Sequence, residues 1–368
     1  MDIQDVRADI PALQDGRYMN WGASGPSPRV VVDAVETAIE THEYESPTAE
    51  GMYPNAFGVL ESARETIGDF IGADPADVAL TQSTTDALNR VANGLEWTPE
   101  DTVLLTDVEH SAGRLPWLRL SHEYGFEVEV LQTDAGRIDR DEFARRADAA
   151  SVVCFSAIDW LHGRLQPVSA LTDLARDAGA LSVVDAVQVP GQRAMPVDQW
   201  GADVVAAAGH KWLLGPWGAG FVYVDDAVAE GMTPRNVGYR SVEDPNATDY
   251  EFKPGARRLE VGTVNPGPYA GVQAAIEVIS DLGIDTIEAE IRDLTEYLKD
   301  DVEPDRLLSP DGFHSGLITV EIDRPDAVVD RMADAGIHVR SLPTDGTVRA
   351  SVHAVNRRSD VDAFLDAL

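Results

Sequence analysis

The sequence predicts an α/β protein, a doubly wound and mostly parallel sheet followed by a smaller C-terminal α+β domain. Three observations carry that expectation. Between about residues 30 and 225, apolar runs of strand length alternate with segments of helical period. Those runs are largely unbroken in apolar character, as strands covered on both faces require. After about residue 262 the texture changes to a long helical region and then alternating strands. Residues 1–25 read as an N-terminal arm, 26–262 as a large domain and 263–368 as a small one. The division fits a chain of 368 residues, since single cores stop growing at roughly 250–300 residues.

Each element has its own signal. Val78–Thr81 is a short apolar run leading into Thr84–Leu95, where Leu88, Val91, Ala92 and Leu95 fall on one helical face. Further strands are expected at Thr102–Thr106, Ser151–Ser156, Leu181–Asp185, Val204–Ala208 and Gly220–Val224. A helical region, Val272–Leu298, precedes strands at Leu317–Ile322 and Val348–Val352, with Ala327–Ala335 as a helix between them. Ser359 and Asp362 read as a capping box for a last helix whose apolar face is Val361, Phe364, Leu365 and Leu368.

Composition narrows the function. At 44% hydrophobic the chain can build a large core, which argues against disorder. With 29 Lys+Arg against 64 Asp+Glu, its formal charge of −35 repels phosphate backbones and anionic membranes, so neither nucleic acid nor membrane is an expected partner. Lys211, Lys253 and Lys299 are the only lysines, and such an acid-rich, lysine-poor surface suits a salt-adapted, halophilic cytoplasm. Cys154 is the only cysteine, so there is no intrachain disulfide and no C-x-x-C pair. The first residues lack a basic start followed by an apolar run, and no leader is expected. Val204–Val224 is mostly apolar, but His210 and Lys211 sit near its middle and glycines then break it, so it is not a membrane span.

Three polar features stand at strand ends, where a doubly wound sheet binds ligands. Asp185 closes one strand, with Gln188 three residues on; Lys211 follows another; Ser83-Thr84-Thr85 opens a helix. Each has an ordinary explanation. An Asp after a strand is usually a turn residue, and Ser or Thr before a helix is usually an N-cap. Lysines are usually solvated, but Lys211 lies in an almost wholly apolar stretch of a chain that has nearly eliminated lysine. That setting suits a buried amine of lowered pKa, able to form a Schiff base. Together the three match pyridoxal phosphate: an aldehyde for the lysine, a pyridine nitrogen for the aspartate, a phosphate for the helix N-terminus.

The strings Thr81-Gln-Ser-Thr-Thr-Asp-Ala-Leu-Asn89, Glu109-His-Ser-Ala-Gly-Arg-Leu-Pro-Trp117, Asp185-Ala-Val-Gln188 and Gly209-His-Lys-Trp-Leu-Leu-Gly-Pro216 resemble the class V aminotransferase and cysteine desulfurase family, of fold type I. Leu259-Glu-Val-Gly-Thr-Val-Asn265 and Val348-Arg-Ala-Ser351 extend the resemblance, which runs in family order from Tyr18-Met-Asn20 to Arg349. It implies a seven-stranded sheet and pyridoxal 5'-phosphate held by Lys211, which would also shuttle the Cα proton. Asp185 would pair with the pyridinium nitrogen, Gln188 with the ring oxygen, and His110 would stack on the ring. Thr84, Thr85 and His210 would bind the phosphate. Thr263 would reach it from a neighbouring subunit, which implies a homodimer. Arg349 would grip the substrate carboxylate.

Departures from the family pattern qualify the activity. Ala208 stands where the family often has Ser before Gly-His-Lys, and Trp160 where desulfurases have an Asn. The segment Val339–Thr347 is short and carries no cysteine, while Cys154 falls within an expected buried strand. A thiolate nucleophile needs exposure and positive surroundings. The expected activity is therefore that of a pyridoxal-phosphate aminotransferase on a small amino acid, with a lyase or racemase reaction, or a non-catalytic cofactor-binding protein, as alternatives. Persulfide-forming desulfuration is disfavoured. Arg235, Arg240 and Arg340 are candidates for binding a second carboxylate, although arginines are ordinarily surface residues. A nicotinamide enzyme would need a G-x-G-x-x-G turn opening a helix, and Gly209–Gly220 does not supply one.

Overall fold

A computed structural model describes residues 2–368. Seven strands form the central sheet in the spatial order 78–81, 220–224, 204–208, 181–185, 152–156, 102–106 and 127–131. The strand Gly220–Val224 runs antiparallel to both neighbours, and every other pairing is parallel. Period-two alternation divides each strand between two cores. Val153 and Phe155 pack into one hydrophobic cluster, Val152 and Cys154 into the cluster on the opposite face. This is why the sequence shows unbroken apolar runs: both faces are covered.

Helix Thr84–Gly94 and helix Ser111–Tyr124 cover one face, while Met52–Ile71, Val168–Ala178 and Gly267–Leu282 cover the other. The apolar stretch 204–224 resolves into two antiparallel strands joined by the loop that carries Lys211. Among the described residues no helix is long and apolar enough to cross a membrane.

A three-stranded antiparallel sheet, in the order 340–341, 347–351, 317–321, lies against helices Ile284–Asp300, Pro325–Asp334 and Arg358–Ala367 around a third cluster. The N-terminal residues are stitched to this unit. Arg17–Tyr18 pairs in parallel with Ile337–His338, and Arg7 bonds the buried Asp360 at 3.0 Å.

Several expected boundaries move. The helical region Val272–Leu298 is two helices, because Gly283 takes φ +79°, a left-handed turn that β-carbon sterics disfavour. The first of the two packs with the helices beside the large sheet, whereas Leu294 and Leu298 of the second enter the third cluster. The last helix is not capped by Ser359: Arg357 is the N-cap, and its N–H donates to Asp360 at 3.0 Å. Asp360 is fixed there by Arg7 and Asn356, so the ion pair sets the helix start. Edge strand Glu127–Leu131 has no unbroken apolar run: its outer edge is unpaired, Glu127 and Val130 are exposed, and half-buried Glu129 pairs with Arg146.

Candidate active site

Loops following five parallel-running strands, ending at Thr81, Thr106, Ser156, Asp185 and Ala208, converge on a cavity of about 350 Å³. Lys211 stands in the turn after Ala208. That turn holds Leu214 at φ +63°, a conformation costing roughly 1–3 kcal/mol for a residue with a β-carbon. Leu214 is fully buried, so packing enforces it. Gly25 lies against the Lys211 carbonyl so closely that a β-carbon would collide with it, and its N–H donates to the His210 carbonyl at 2.8 Å. Burial pulls the Lys211 ammonium down to about 8; Asp185 opposes that pull, and Arg349 and Arg340 reinforce it.

Asp185 is the last residue of its strand. Burial raises its carboxyl above the usual range, while the Val187 N–H, 3.0 Å away, and the Lys211 charge act the other way. The Gln188 amide is oriented by two bonds: Trp212 Nε1 donates to its oxygen at 2.7 Å, and its nitrogen donates to the Gly22 carbonyl at 3.0 Å. One amide hydrogen stays free. Trp212 is held in turn by His353, whose stacked ring lies 6.1 Å away and whose Nε2 bonds the Trp212 carbonyl at 3.0 Å.

His110 caps helix Ser111–Tyr124, its Nδ1 accepting the Ala112 N–H at 3.2 Å, which leaves the proton on Nε2. Burial, then the charges of Lys211, Arg340 and Arg349, lower its pKa to about 4, so the ring is neutral at pH 7. Trp160 meets it edge-on at 5.0 Å. Below, Glu109 accepts from the hydroxyls of Thr106 at 2.5 Å and Ser156 at 2.7 Å, and burial raises its carboxyl to about 7.

At the opening of helix Thr84–Gly94, Ser83 Oγ is spent on the Asp86 N–H at 3.1 Å. The Thr84 hydroxyl is buried with no partner, beside the free N–H groups of the first turn. Thr85 and His210 line the same end of the cavity, and burial lowers the His210 pKa to about 4. Arg349 is 1% exposed; Nη1 donates to the Trp160 carbonyl at 2.7 Å, while Nε and Nη2 are buried without partners.

The cavity thus gathers Lys211, Asp185, Gln188, His110, Thr84, Thr85, His210 and Arg349. Thr263 stands apart, bonded to Tyr239 Oη at 3.0 Å on an exposed face. The three candidate second-anion arginines separate. Arg235 is a surface residue paired with Glu123, and Arg240 is not a surface residue at all but is buried against Glu260. Only Arg340 lines the cavity. Glu109 and Ser156 were visible in the sequence only as neighbours of His110 and a strand end; their juxtaposition comes from strand pairing.

The donor set fits pyridoxal phosphate. The orphaned Thr84 hydroxyl at a helix N-terminus suits a phosphate, and a desolvated amine and a strand-end carboxylate suit the aldehyde and the ring nitrogen. Cys154 offers no alternative nucleophile: it is 1% exposed and burial pushes its thiol well up. The short turn between Ser341 and Thr347 holds no cysteine.

Comparison with known proteins gives the family and the fold. The family model described as aminotransferase class-V matches residues 17–364. A probable cysteine desulfurase of Methanothermobacter thermautotrophicus is 32% identical over 398 aligned positions, covering 100% of this chain and 98% of the relative. Isopenicillin N epimerase of Streptomyces clavuligerus is 31% identical, covering 95% of this chain and 93% of the relative. The apo structure of a cysteine desulfurase from Thermococcus onnurineus NA1 superposes with a TM-score of 0.91 at 29% identity, covering 98% of this chain and 96% of that one. The fold is that of fold type I pyridoxal-phosphate enzymes.

Proposed function

The chain belongs to the class V aminotransferase family, and from that premise we propose that it is a pyridoxal-phosphate-dependent aminotransferase acting on a small amino acid. The observation that carries this reading is a desolvated Lys211 amine, facing Asp185, in a cavity that ends at the unpartnered Thr84 hydroxyl.

When bound, the cofactor supplies an aldehyde and an electron-accepting pyridine ring. Lys211 is the residue that would hold it covalently, since a pKa of about 8 leaves an appreciable fraction of the amine neutral and nucleophilic near pH 7. The same Nζ would take a proton from the substrate Cα and return it. Asp185 would hold a proton on the ring nitrogen, the charge pairing offsetting the desolvation that otherwise raises its own pKa. The free Gln188 amide hydrogen would meet the ring oxygen, and His110, neutral at pH 7, would stack on the ring without adding a positive charge beside it. Thr84, Thr85, the first-turn N–H groups and His210 would take the phosphate. Arg349 would bind the α-carboxylate through its unpartnered Nε and Nη2, a bidentate grip that fixes the orientation of the Cα bonds. Thr263 lies outside its own cavity, which supports a homodimer in which it serves the partner's phosphate site.

Desulfuration through a protein persulfide is a second reading, favoured by the relatives and opposed by the burial of Cys154. A panel assay separates the reactions: keto-acid-dependent amino transfer, ammonia with pyruvate release, loss of optical rotation, or sulfide release from cysteine. Amino transfer abolished by Lys211→Ala is the expected result. Sulfide release as the fastest reaction of the panel would overturn the reading.

A further inference from the structure

We propose that Arg340 and Arg349 together form a two-anion subsite, so that the substrate is an α-amino acid whose side chain ends in a second carboxylate. This deepens the proposed function and rests on it. The two residues are register partners on adjacent antiparallel strands, Arg340 directly opposite Arg349. Residues so placed point to the same face with their β-carbons about 4.5–5.5 Å apart, and like charges in this position are destabilising. Both line the cavity, and among the described residues neither forms an ion pair with a carboxylate.

The contrast with the other buried arginines is sharp. Arg7 has Asp360, Arg64 and Arg240 share Glu260, and Arg258 has Glu230. Arg349 is as buried as these and has only a carbonyl. Asp159, whose charge reaches it, is already committed: Oδ1 accepts from the N–H groups of Leu161 and His162, and Oδ2 from that of Arg164. Arg340 Nε reaches only the carbonyl of its neighbour Ser341, at 3.4 Å. A third unpartnered donor, the buried Trp160 Nε1, lines the same space.

A buried cation persists when something compensates it, and one bidentate carboxylate satisfies one guanidinium. Buried Arg349 therefore calls for one anionic group, and half-buried Arg340, opposite it in the ladder, stands where a second anionic group on the same ligand would offset the like charge. The surrounding charge agrees. Among the described residues Asp185 is the single acidic one lining the cavity, against Lys211, Arg340 and Arg349, in a chain whose formal charge is −35. Such a local reversal of sign draws small anions to this site in preference to the rest of the surface.

The test uses the cofactor-loaded protein titrated by calorimetry with succinate, a dicarboxylate, and butyrate, a monocarboxylate of similar length. Succinate is expected to bind about tenfold or more tighter than butyrate. Arg340→Gln should abolish that preference while changing butyrate affinity less than about twofold, and Arg349→Gln should weaken both. Equal binding of the two acids by the parent protein, or equal loss of both in Arg340→Gln, would overturn the proposal; the latter would mean that both arginines grip one carboxylate. Borohydride treatment of the same samples, followed by mapping of the adduct, keeps the two readings apart. An absent adduct at Lys211 defeats the proposed function, whereas preference for succinate reports on the subsite alone.

Discussion

Replacing Glu109 by Gln tests the electrostatics beneath the site. Glu109 is 6% exposed, and burial raises its carboxyl from 4.5 to about 7. Between those values the folded chain keeps a proton that the unfolded chain releases, so stability present below pH 4.5 is lost as pH rises toward 7. At 1.36 kcal/mol per unit the loss comes to about 3 kcal/mol. Gln is a neutral isostere that can still accept from Thr106 and donate to Ser156, so the variant keeps the bonds without the titration. Urea unfolding of both proteins from pH 4 to pH 8 gives the difference in stability, in which titrations common to the two cancel. Glu109→Gln should gain on the parent steadily from pH 4.5 upward, by about 3 kcal/mol at neutral pH. A difference that stays flat across this range would refute the idea that desolvation governs Glu109.

Other consequences are equally direct. Asp185→Asn should leave the Lys211 adduct in place yet lower turnover by roughly 100-fold, measured as steady-state amino transfer. Capture of pyridoxal phosphate by the unloaded chain, followed by absorbance, should speed up as pH rises toward about 8 and then level off, as the Lys211 amine loses its proton. Cys154→Ala should keep full activity while costing on the order of 1 kcal/mol of stability in urea unfolding, because the thiol only fills the core. Glu260→Gln should destabilise by about 3–5 kcal/mol, since it strands the buried Arg64 and Arg240.

The amino-acid sequence by itself determined the layered architecture and most of the site. Strands buried on both faces must be apolar throughout, so Leu181–Asp185, Val204–Ala208 and Gly220–Val224 were legible to the residue. Asp185 and Lys211 stood out because a polar residue ending such a run lies at the sheet's carboxyl edge, where a cavity forms. Edge strand Glu127–Leu131 escaped because half of it faces water and its pattern is that of any amphipathic segment. The fates of Arg235, Arg240 and Arg340 were decided only by tertiary structure. One lies on the surface, one against Glu260, one across a β-ladder from Arg349. The side-chain type is the same in each case. What differs is the partner, and partners far apart in the chain are chosen by strand register and helix packing, which no local pattern encodes.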